Sequence, residues 1–366
     1  MFKTFQVFIT LLIMGCSSTA LSSENSLPTL NALNNETSIS GLSSGAFMAA
    51  QFHVAYSKDL VGAGIVAGGP WNCAGTNPLV PPLSTAVSTC MDPCKNNWFY
   101  QWFGCPSMLL PNSDFLADLA KSNAELGEID DTNNLKDDKI YIFSGKNDHT
   151  VVTDVVDTTT EFYQNLGVDQ NAILYNDQTQ AGHAFITENP KDTPCDETQS
   201  PYINDCDIPQ AQKILSHIYG DLNPASSQLS GELMSFKQTD FFESELTSMN
   251  DTAYVYVPEN CKAQQCKVHV ALHGCQQGVS VLGTTYIEQT GYMEVADSNN
   301  IIVLYPQVKK SSLVPFNPKG CWDFWGYSNN SLPPYNYYQK DAPQMMAIKK
   351  MIDQLTGQTT QVSQQL

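Results

Sequence analysis

The chain has 366 residues, 42% of them apolar, which is enough to bury a large core and argues against a disordered chain. Its formal net charge is −19, with 18 lysines and no arginine. Because no basic block or stripe occurs, the sequence argues against nucleic acid and an anionic membrane surface as partners.

The first 22 residues have the pattern of an export signal. Lys3 precedes a short apolar run at residues 5–14, and small residues follow it. The run is too short to span a bilayer. Two processing sites remain open. In the first, the residues that end at Cys16 resemble a lipoprotein signal, and Cys16 would be lipidated after cleavage. In the second, ordinary cleavage would occur near Ala20. A buried N-terminal helix is the weakest interpretation, because the segment lacks amphipathic periodicity.

After the signal, strands and helices alternate to the end of the chain, with no internal repeat and no linker. Predicted strands occupy residues 37–42, 61–67, 139–143, 171–175, 253–257, 268–272 and 301–305. Predicted helices occupy residues 45–57, 151–166, 209–219, 290–298 and 344–355. Residues 71–106 form a cysteine-rich stretch that we expect to be irregular. The alternation predicts an α/β fold in which helices cover both faces of a mostly parallel sheet. We expect residues 23–366 to form a single domain, without a separate substrate-binding domain.

The eleven cysteines agree with an exported protein. Without Cys16 ten remain, and they lie in local clusters. None of the six histidines lies at zinc-ligand spacing from a cysteine, and no CxxC pair occurs, so we predict no metal site and no cofactor. Disulfide bonds formed in an oxidising compartment explain the clusters better. The pairs we predict come from proximity and, for the last, from elimination: Cys195 with Cys206, Cys261 with Cys266, and Cys275 with Cys321.

A G-x-S-x-G motif at residues 41–45 lies between the first predicted strand and the first predicted helix. On such a turn the serine takes a strained backbone conformation and projects its Oγ into the crevice above the sheet, while glycines prevent collisions. The helix N-terminus beneath it favours developing negative charge. The alternative is a Gly/Ser turn in which Ser43 or Ser44 only caps the helix. With strand and helix both predicted, we favour Ser43 as the nucleophile of a serine hydrolase.

A nucleophilic serine needs a general base, usually histidine. Four histidines lie in predicted helices, in a strand or at the start of a glycine loop, which leaves His149 and His183. His183 lies in a loop of small residues after a strand, and this loop can bring the imidazole close to a neighbouring group. We therefore predict His183 as the base.

The carboxylate that orients the base should follow an earlier strand. Asp148 directly follows the predicted strand at residues 139–143 and meets this requirement. Asp154 and Asp157 lie further on, in the next predicted helix, where they suit the helix dipole or the surface. The resulting order of serine, aspartate and histidine along the chain is that of α/β-hydrolases.

One oxyanion donor should be the amide of Ser44, the residue after the nucleophile. The second normally comes from a loop after an earlier strand, but no strand precedes Ser43. Instead, a late strand at residues 268–272 is followed by the sequence HGCQQG, which resembles the HGGG-type loop of esterases. This loop suggests Cys275 as the second donor. The strands that usually precede the nucleophile in the sequence follow it here. This order predicts a circularly permuted α/β-hydrolase fold.

Together these motifs resemble the single-domain poly(3-hydroxybutyrate) depolymerases, which have a circularly permuted α/β-hydrolase fold. The matching segments are Ser43-Ser44-Gly45-Ala46, residues 145–148, Gly182-His183-Ala184, His273-Gly274-Cys275-Gln276 and Cys321-Trp322-Asp323. The resemblance implies extracellular or periplasmic hydrolysis of polyester to 3-hydroxy acids. It implies Ser43, Asp148 and His183 as the triad. We find no granule-binding domain behind a linker, which argues against strong binding to crystalline polymer and leaves amorphous polymer or soluble oligomers open as substrates.

Aromatic residues crowd the C-terminal region and could line an apolar crevice for a polyester chain. We predict Trp322 and Trp325 as substrate contacts, since the Cys321 disulfide would tie them to the oxyanion loop, and add Trp71. For each ring the alternative is ordinary core packing.

Three other functions remain open. A feruloyl or acetyl-xylan esterase would keep the chemistry and change the substrate, since those families share a similar HGC-type loop. A non-catalytic surface lipoprotein would only adhere to hydrophobic particles. A peptidase is the weakest candidate, because no acidic pocket for peptide termini is visible.

Overall fold

The structure is a computed structural model that describes residues 25–95, 97–329 and 335–358. The predicted export signal, with Cys16 and Ala20, lies outside the described residues. Eleven strands lie within these ranges: β1 (Thr37–Leu42), β2 (Leu60–Val66), β3 (Lys139–Phe143), β4 (Ile173–Asn176), β5 (Phe185–Thr187), β6 (Thr193–Pro194), β7 (Ile203–Asp205), β8 (Glu232–Lys237), β9 (Thr252–Val257), β10 (Lys267–Leu272) and β11 (Ile301–Tyr305).

Ten α-helices lie within the same ranges. They are α1 (Ser44–Ala55), α2 (Pro82–Val87), α3 (Trp98–Phe103), α4 (Ser113–Glu125), α5 (Thr153–Asn165), α6 (Gln210–Tyr219), α7 (Val279–Leu282), α8 (Thr285–Gln289), α9 (Tyr292–Asn299) and α10 (Pro343–Thr356). None of the helices described is long and apolar enough to cross a bilayer.

Eight strands form one sheet in the order β4-β3-β2-β1-β10-β11-β9-β8. Neighbouring strands from β4 to β11 run parallel, whereas β9 pairs antiparallel with both β11 and β8. The predicted α/β fold with a mostly parallel sheet is confirmed. In the centre, Gly41 of β1 pairs with Ile65 of β2 and Leu272 of β10, so these three strands end side by side.

Helices cover both faces of this sheet, and each face has its own apolar core. Side chains alternate along each strand, so Val270 and Ile302 enter one core while Ala271 and Val303 enter the other. Helices α1, α4, α5 and α10 pack in the first core, and α6 and α9 pack in the second. Every residue of α1 is buried, so this helix is enclosed and holds the end of β1 rigidly.

The structure contains elements that the sequence analysis missed. Two short helices, α2 and α3, interrupt the cysteine-rich stretch that was predicted to be irregular. Helix α4 was overlooked, although Asn112 caps it by accepting a hydrogen bond from the Phe115 amide. A second sheet, in the order β5-β7-β6, consists of strands of two or three residues, which are too short for an alternating pattern to show.

Five disulfide bonds lie among the described residues. The three predicted pairs are present, and two further bonds close the cysteine-rich stretch. The bonds are Cys73–Cys90, Cys94–Cys105, Cys195–Cys206, Cys261–Cys266 and Cys275–Cys321.

Candidate active site

Ser43 lies on the sharp turn between β1 and α1. Its backbone has φ 58° and ψ −122°, a costly conformation for a residue with a side chain. Its amide donates to the Val66 carbonyl at 2.9 Å, which fixes the turn against β2. A Cβ at Gly41 would lie 2.3 Å from the Gly45 carbonyl carbon, and one at Gly45 would lie 2.5 Å from the Leu272 carbonyl oxygen. Glycine is therefore required on both sides of the strained serine.

His183 and Asp148 form a buried pair, with 2.7 Å between His183 Nδ1 and Asp148 Oδ2. The other carboxylate oxygen, Oδ1, accepts the backbone N–H groups of Thr150 and Val151 at 2.8 and 3.0 Å. Because a carboxylate oxygen accepts hydrogen bonds, Nδ1 carries the ring proton and Nε2 keeps its lone pair. This is the tautomer that a general base needs.

The loops that carry Asp148 and His183 pack directly on each other. The Asn147 amide donates to the Ala181 carbonyl at 3.0 Å. A Cβ at Gly145 would lie 2.2 Å from the same carbonyl oxygen, so a larger residue would push the loops apart. The short distance between the carboxylate and the imidazole thus depends on this close backbone contact.

The far side of the His183 loop is held by a second loop. The His183 amide donates to Thr198 Oγ1 at 2.8 Å, and the Gly182 amide donates to the Cys195 carbonyl at 2.8 Å. The disulfide between Cys195 and Cys206 closes that second loop. Backbone contacts on two sides therefore fix the position of His183.

The loop after β10 lies beside the nucleophile turn. A Cβ on Gly274 would lie 3.3 Å from the Leu42 carbonyl oxygen and 3.4 Å from Ser43 Cβ, so the loop passes close to the nucleophile turn. Among the described residues, neither the Ser44 amide nor the Cys275 amide donates a hydrogen bond. Both N–H groups are thus available to a developing oxyanion. The disulfide between Cys275 and Cys321 ties the loop to the C-terminal region.

One cavity of about 460 Å³ brings these groups together, since Ser43, His183 and Cys275 all line it. Among the described residues, the Ser43 hydroxyl has no hydrogen bond to the His183 ring, a contact that often tightens only with substrate. Most of the remaining wall is apolar. The apolar side chains are Leu42, Leu83, Val87, Met91, Phe316, Pro318, Phe324 and Trp325.

The sequence analysis missed most of this apolar wall. Leu83 and Val87 lie on α2 and Met91 follows it, inside the stretch that was predicted to be irregular. Phe316 and Phe324 flank Cys321. The predicted disulfide from Cys321 to the oxyanion loop was the one available signal that residues near position 321 approach the site.

Of the three tryptophans predicted to contact substrate, Trp325 lines the cavity and the other two do not. Trp71 is fully buried, and its Nε1 donates to the Tyr338 carbonyl at 3.0 Å. Trp322 is also fully buried, with its ring centroid 5.6 Å from that of His273. The prediction is wrong for Trp71 and Trp322, because both large rings are buried in the core and cannot contact a substrate in the cavity.

Asp323 fixes the turn that presents Trp325. Its Oδ1 accepts the amides of Trp325, Gly326 and Tyr327, and its Oδ2 accepts the amide and hydroxyl of Ser328. Burial raises the pKa of Asp323, and these hydrogen bonds oppose that shift. The Cys-Trp-Asp motif therefore supports the cavity wall from behind.

The other histidines lie away from the cavity opening. His53 is buried and bonded to Asp138 Oδ2 at 3.0 Å. His269 is buried between Ser38 and Ser40, and burial lowers its pKa to about 3. His149 is exposed. It follows the candidate acid Asp148 in the chain but is not one of the residues that line the cavity. These positions agree with the choice of His183 as the candidate base.

Known proteins that are similar to this chain in sequence include two polyester depolymerases. The chain is 36% identical to a poly(3-hydroxybutyrate) depolymerase of Delftia acidovorans over 91% of its own length, and it spans 63% of that protein. It is 34% identical to a polyhydroxybutyrate depolymerase of Talaromyces funiculosus, with 90% of this chain and 92% of the relative covered. No model of a protein family matches the chain.

The fold is also similar to solved structures of PHB depolymerases. The crystal structure of a PHB depolymerase from Penicillium funiculosum superposes with a TM-score of 0.76 at 33% identity, covering 91% of this chain and 99% of that one. A PHB depolymerase complexed with an R3HB trimer gives the same TM-score, identity and coverage.

Proposed function

This chain belongs to the poly(3-hydroxybutyrate) depolymerase family, and we propose that it hydrolyses the ester bonds of poly(3-hydroxybutyrate) or its oligomers, releasing 3-hydroxy acids. The observation that carries the proposal is the cavity in which Ser43, the His183–Asp148 pair and the free Cys275 amide meet. The R3HB trimer bound to a structural relative supports the choice of polyester.

The proposed mechanism is acyl transfer through Ser43. His183 Nε2 takes the hydroxyl proton as Ser43 Oγ attacks the ester carbonyl, and Asp148 stabilises the imidazolium that results. The amides of Ser44 and Cys275 donate to the oxyanion, and the alcohol leaves with the proton from His183. Water activated by His183 then releases the acid. One oxyanion donor is worth about 3 kcal/mol of barrier.

The cavity wall suits a polyester better than a sugar ester. A polyester repeat offers methyl groups and ester oxygens but few donors, which an apolar wall accommodates. The polar side chains Gln277 and Asn317 line the same cavity, but their amides already bond within the protein, to Pro201 O and Cys321 O. Thr198 Oγ1 likewise accepts the His183 amide, and Gln276 bonds to the Tyr202 hydroxyl, while Thr150 and Lys319 complete the polar part of the lining. The proposal therefore rests on the apolar share of the wall, which suits the methyl groups of a polyester.

The substrate is tested by offering the same enzyme three ester classes. We expect the wild-type chain to clear a suspension of amorphous poly(3-hydroxybutyrate) and to release titratable acid. It should release little acetate or ferulate from acetylated or feruloylated xylan at equal ester concentration. Clearing is measured as the loss of turbidity, and the products are identified by chromatography. Turnover of the xylan esters with no loss of polyester turbidity would contradict the polyester proposal and favour a carbohydrate esterase.

We also propose that helix α3 adsorbs to the polymer surface. Trp98, Trp102 and Phe103 are 72%, 82% and 74% exposed, which is unusual for such large apolar rings. The disulfide between Cys94 and Cys105 closes the loop that carries this helix. Apolar exposure continues onto α2, where the cavity-lining Leu83 and Val87 are also exposed. A hydrophobic solid is the partner that such a surface fits.

Adsorption can be separated from catalysis with a double variant. We expect Trp98→Ala with Trp102→Ala to weaken binding to polyester particles about 100-fold or more, since each ring buried against the polymer contributes at least roughly 1.5 kcal/mol. Hydrolysis of soluble p-nitrophenyl butyrate should be unchanged. The matched control is Leu126→Ala, another exposed apolar residue. Equal binding by the double variant and wild type would refute the role of α3.

We propose that the protein works outside the cytoplasm. Five disulfide bonds among the described residues support an oxidising compartment. The export signal and the lipidation of Cys16 stay predictions, since they lie outside the described residues. Mass spectrometry of the mature N-terminus would distinguish a lipidated Cys16 from cleavage near Ala20.

A further inference from the structure

His273 is a fully buried histidine at the end of β10 that the proposed mechanism does not use. Its Nδ1 lies 2.7 Å from the Gly274 carbonyl oxygen. Its Nε2 lies 3.2 Å from the amide nitrogen of Val308, just beyond β11. The ring therefore bridges the oxyanion loop to the segment that follows β11.

The two contacts determine which ring nitrogen carries the proton. The Val308 amide is a donor, so Nε2 accepts, and Nδ1–H must donate to the Gly274 carbonyl. Burial lowers the pKa of His273 to about 4, so the ring stays neutral and keeps this tautomer at neutral pH. The donor to Gly274 is thus present whenever the enzyme is near neutral pH.

The Gly274 carbonyl shares a peptide plane with the Cys275 amide. In a trans peptide the C=O and the following N–H point in opposite directions, so the direction of one dictates the direction of the other. The backbone N–H of Gln277 also donates to the Gly274 carbonyl, at 3.2 Å. The side-chain oxygen of Gln277, Oε1, accepts the backbone N–H of Gly274 at 2.6 Å. The peptide is therefore held at its carbonyl by His273 and Gln277, which leaves the Cys275 N–H on its opposite side.

We propose that His273 is a positioning residue that aims the Cys275 amide at the oxyanion. This inference rests on the proposed acyl-transfer function and concerns the same site. Gly274 lies beside the Ser43 turn, and Cys275 lines the cavity with Ser43, so a rotated peptide would turn the second donor away from the reacting carbonyl. Oxyanion donors act through fixed orientation, so misalignment would lower kcat more than it changes KM.

Two substitutions separate positioning from packing. In His273→Asn the side-chain amide nitrogen takes the place of Nδ1 and keeps a donor to Gly274. In His273→Gln the side-chain oxygen can replace Nε2 as the acceptor for Val308, but no donor remains at the Nδ1 position. Both variants remove the ring that packs against Tyr286 and Trp322. A purely structural role would therefore lower activity and stability equally in both variants.

The assay uses p-nitrophenyl butyrate, so it does not depend on the polyester being the substrate. We expect His273→Gln to lose about 10- to 100-fold in kcat with KM nearly unchanged. Affinity for an alkylboronic acid, whose serine adduct places an oxygen in the oxyanion site, should fall by a similar factor. His273→Asn should stay within about fivefold of wild type. Equal losses in the two variants, or a change confined to KM, would overturn the proposal.

A measurement on the wild type covers the case in which neither variant folds. Nitrogen-15 NMR of histidine-labelled protein should show His273 as the Nδ1–H tautomer, with a slowly exchanging proton that shifts when the boronic acid binds. The Nε2–H tautomer, or a His273 resonance indifferent to the inhibitor, would refute the role. A wild type that cleaves the p-nitrophenyl ester but no polyester would contradict the proposed substrate and leave this inference standing.

Discussion

Replacing Ser43 with alanine is expected to lower ester hydrolysis by about 10⁶-fold, to the level that the oxyanion donors and binding alone sustain. The reason is that Ser43→Ala removes the only protein atom that forms a bond to the acyl group in the proposed mechanism. The fold should persist, since the Ser43 backbone contacts do not involve its Oγ. Hydrolysis of p-nitrophenyl butyrate and labelling by a serine-directed phosphonate measure the effect.

The neighbouring Ser44 offers a matched control for this prediction. Its Oγ accepts the Trp322 amide at 3.2 Å, and the proposed role of Ser44 uses only its backbone N–H. Ser44→Ala should therefore keep phosphonate labelling and most of the activity, with a stability loss of about 1 kcal/mol. Persistent labelling in Ser43→Ala, or its disappearance in Ser44→Ala, would show that the nucleophile has been misassigned.

The second large effect is expected from Asp148→Asn, which should lower kcat about 10⁴-fold near neutral pH. Asp148 Oδ1 accepts two backbone N–H groups, so the amide oxygen of an asparagine would stay there. Its NH₂ group would then face His183 and donate to Nδ1. That contact forces the ring proton onto Nε2, where His183 can no longer accept the Ser43 proton. A pH–rate profile of kcat measures the loss.

Asp154→Asn is the control for this variant. Asp154 lies in the first turn of α5, a few residues further along the chain, and the sequence analysis set it aside as a helix-dipole partner. Its substitution should leave kcat unchanged and cost at most about 1 kcal/mol of stability. A comparable loss of kcat in both variants, or none in Asp148→Asn, would argue against Asp148 as the orienting acid.

The members of the candidate triad could be found from sequence because each follows a parallel strand. Parallel strand ends meet at one edge of a sheet, so Ser43, Asp148 and His183 needed only correctly ordered strands to come together. Local signals marked those strands: apolar runs in β3 and β4, and the G-x-S-x-G motif that begins at the end of β1. The structure adds the distances, such as the 2.7 Å between His183 and Asp148, which depend on close packing of their loops.

The cavity wall was harder to predict, because its residues lie in loops whose paths are set by long-range contacts. Met91, for example, accepts a hydrogen bond from the Val152 amide through its carbonyl, a pairing without any local pattern. Aromatic character misled the choice of Trp71, and the neighbouring Cys321 disulfide added to it for Trp322, since a large ring satisfies core packing as well as a binding site. Exposure, which separates these two roles, is a property of the folded chain.

The strand order has a consequence for how the protein is made. Thr37 of β1 pairs with Val268 of β10, and the two positions are separated by most of the chain. The nucleophile turn is therefore synthesised more than 230 residues before the loop that completes its oxyanion site. Contacts this distant in sequence form late in folding. A growing chain that has not yet reached residue 275 holds the serine, the acid and the base but lacks the second oxyanion donor, so full esterase activity should arise only after that loop has been made.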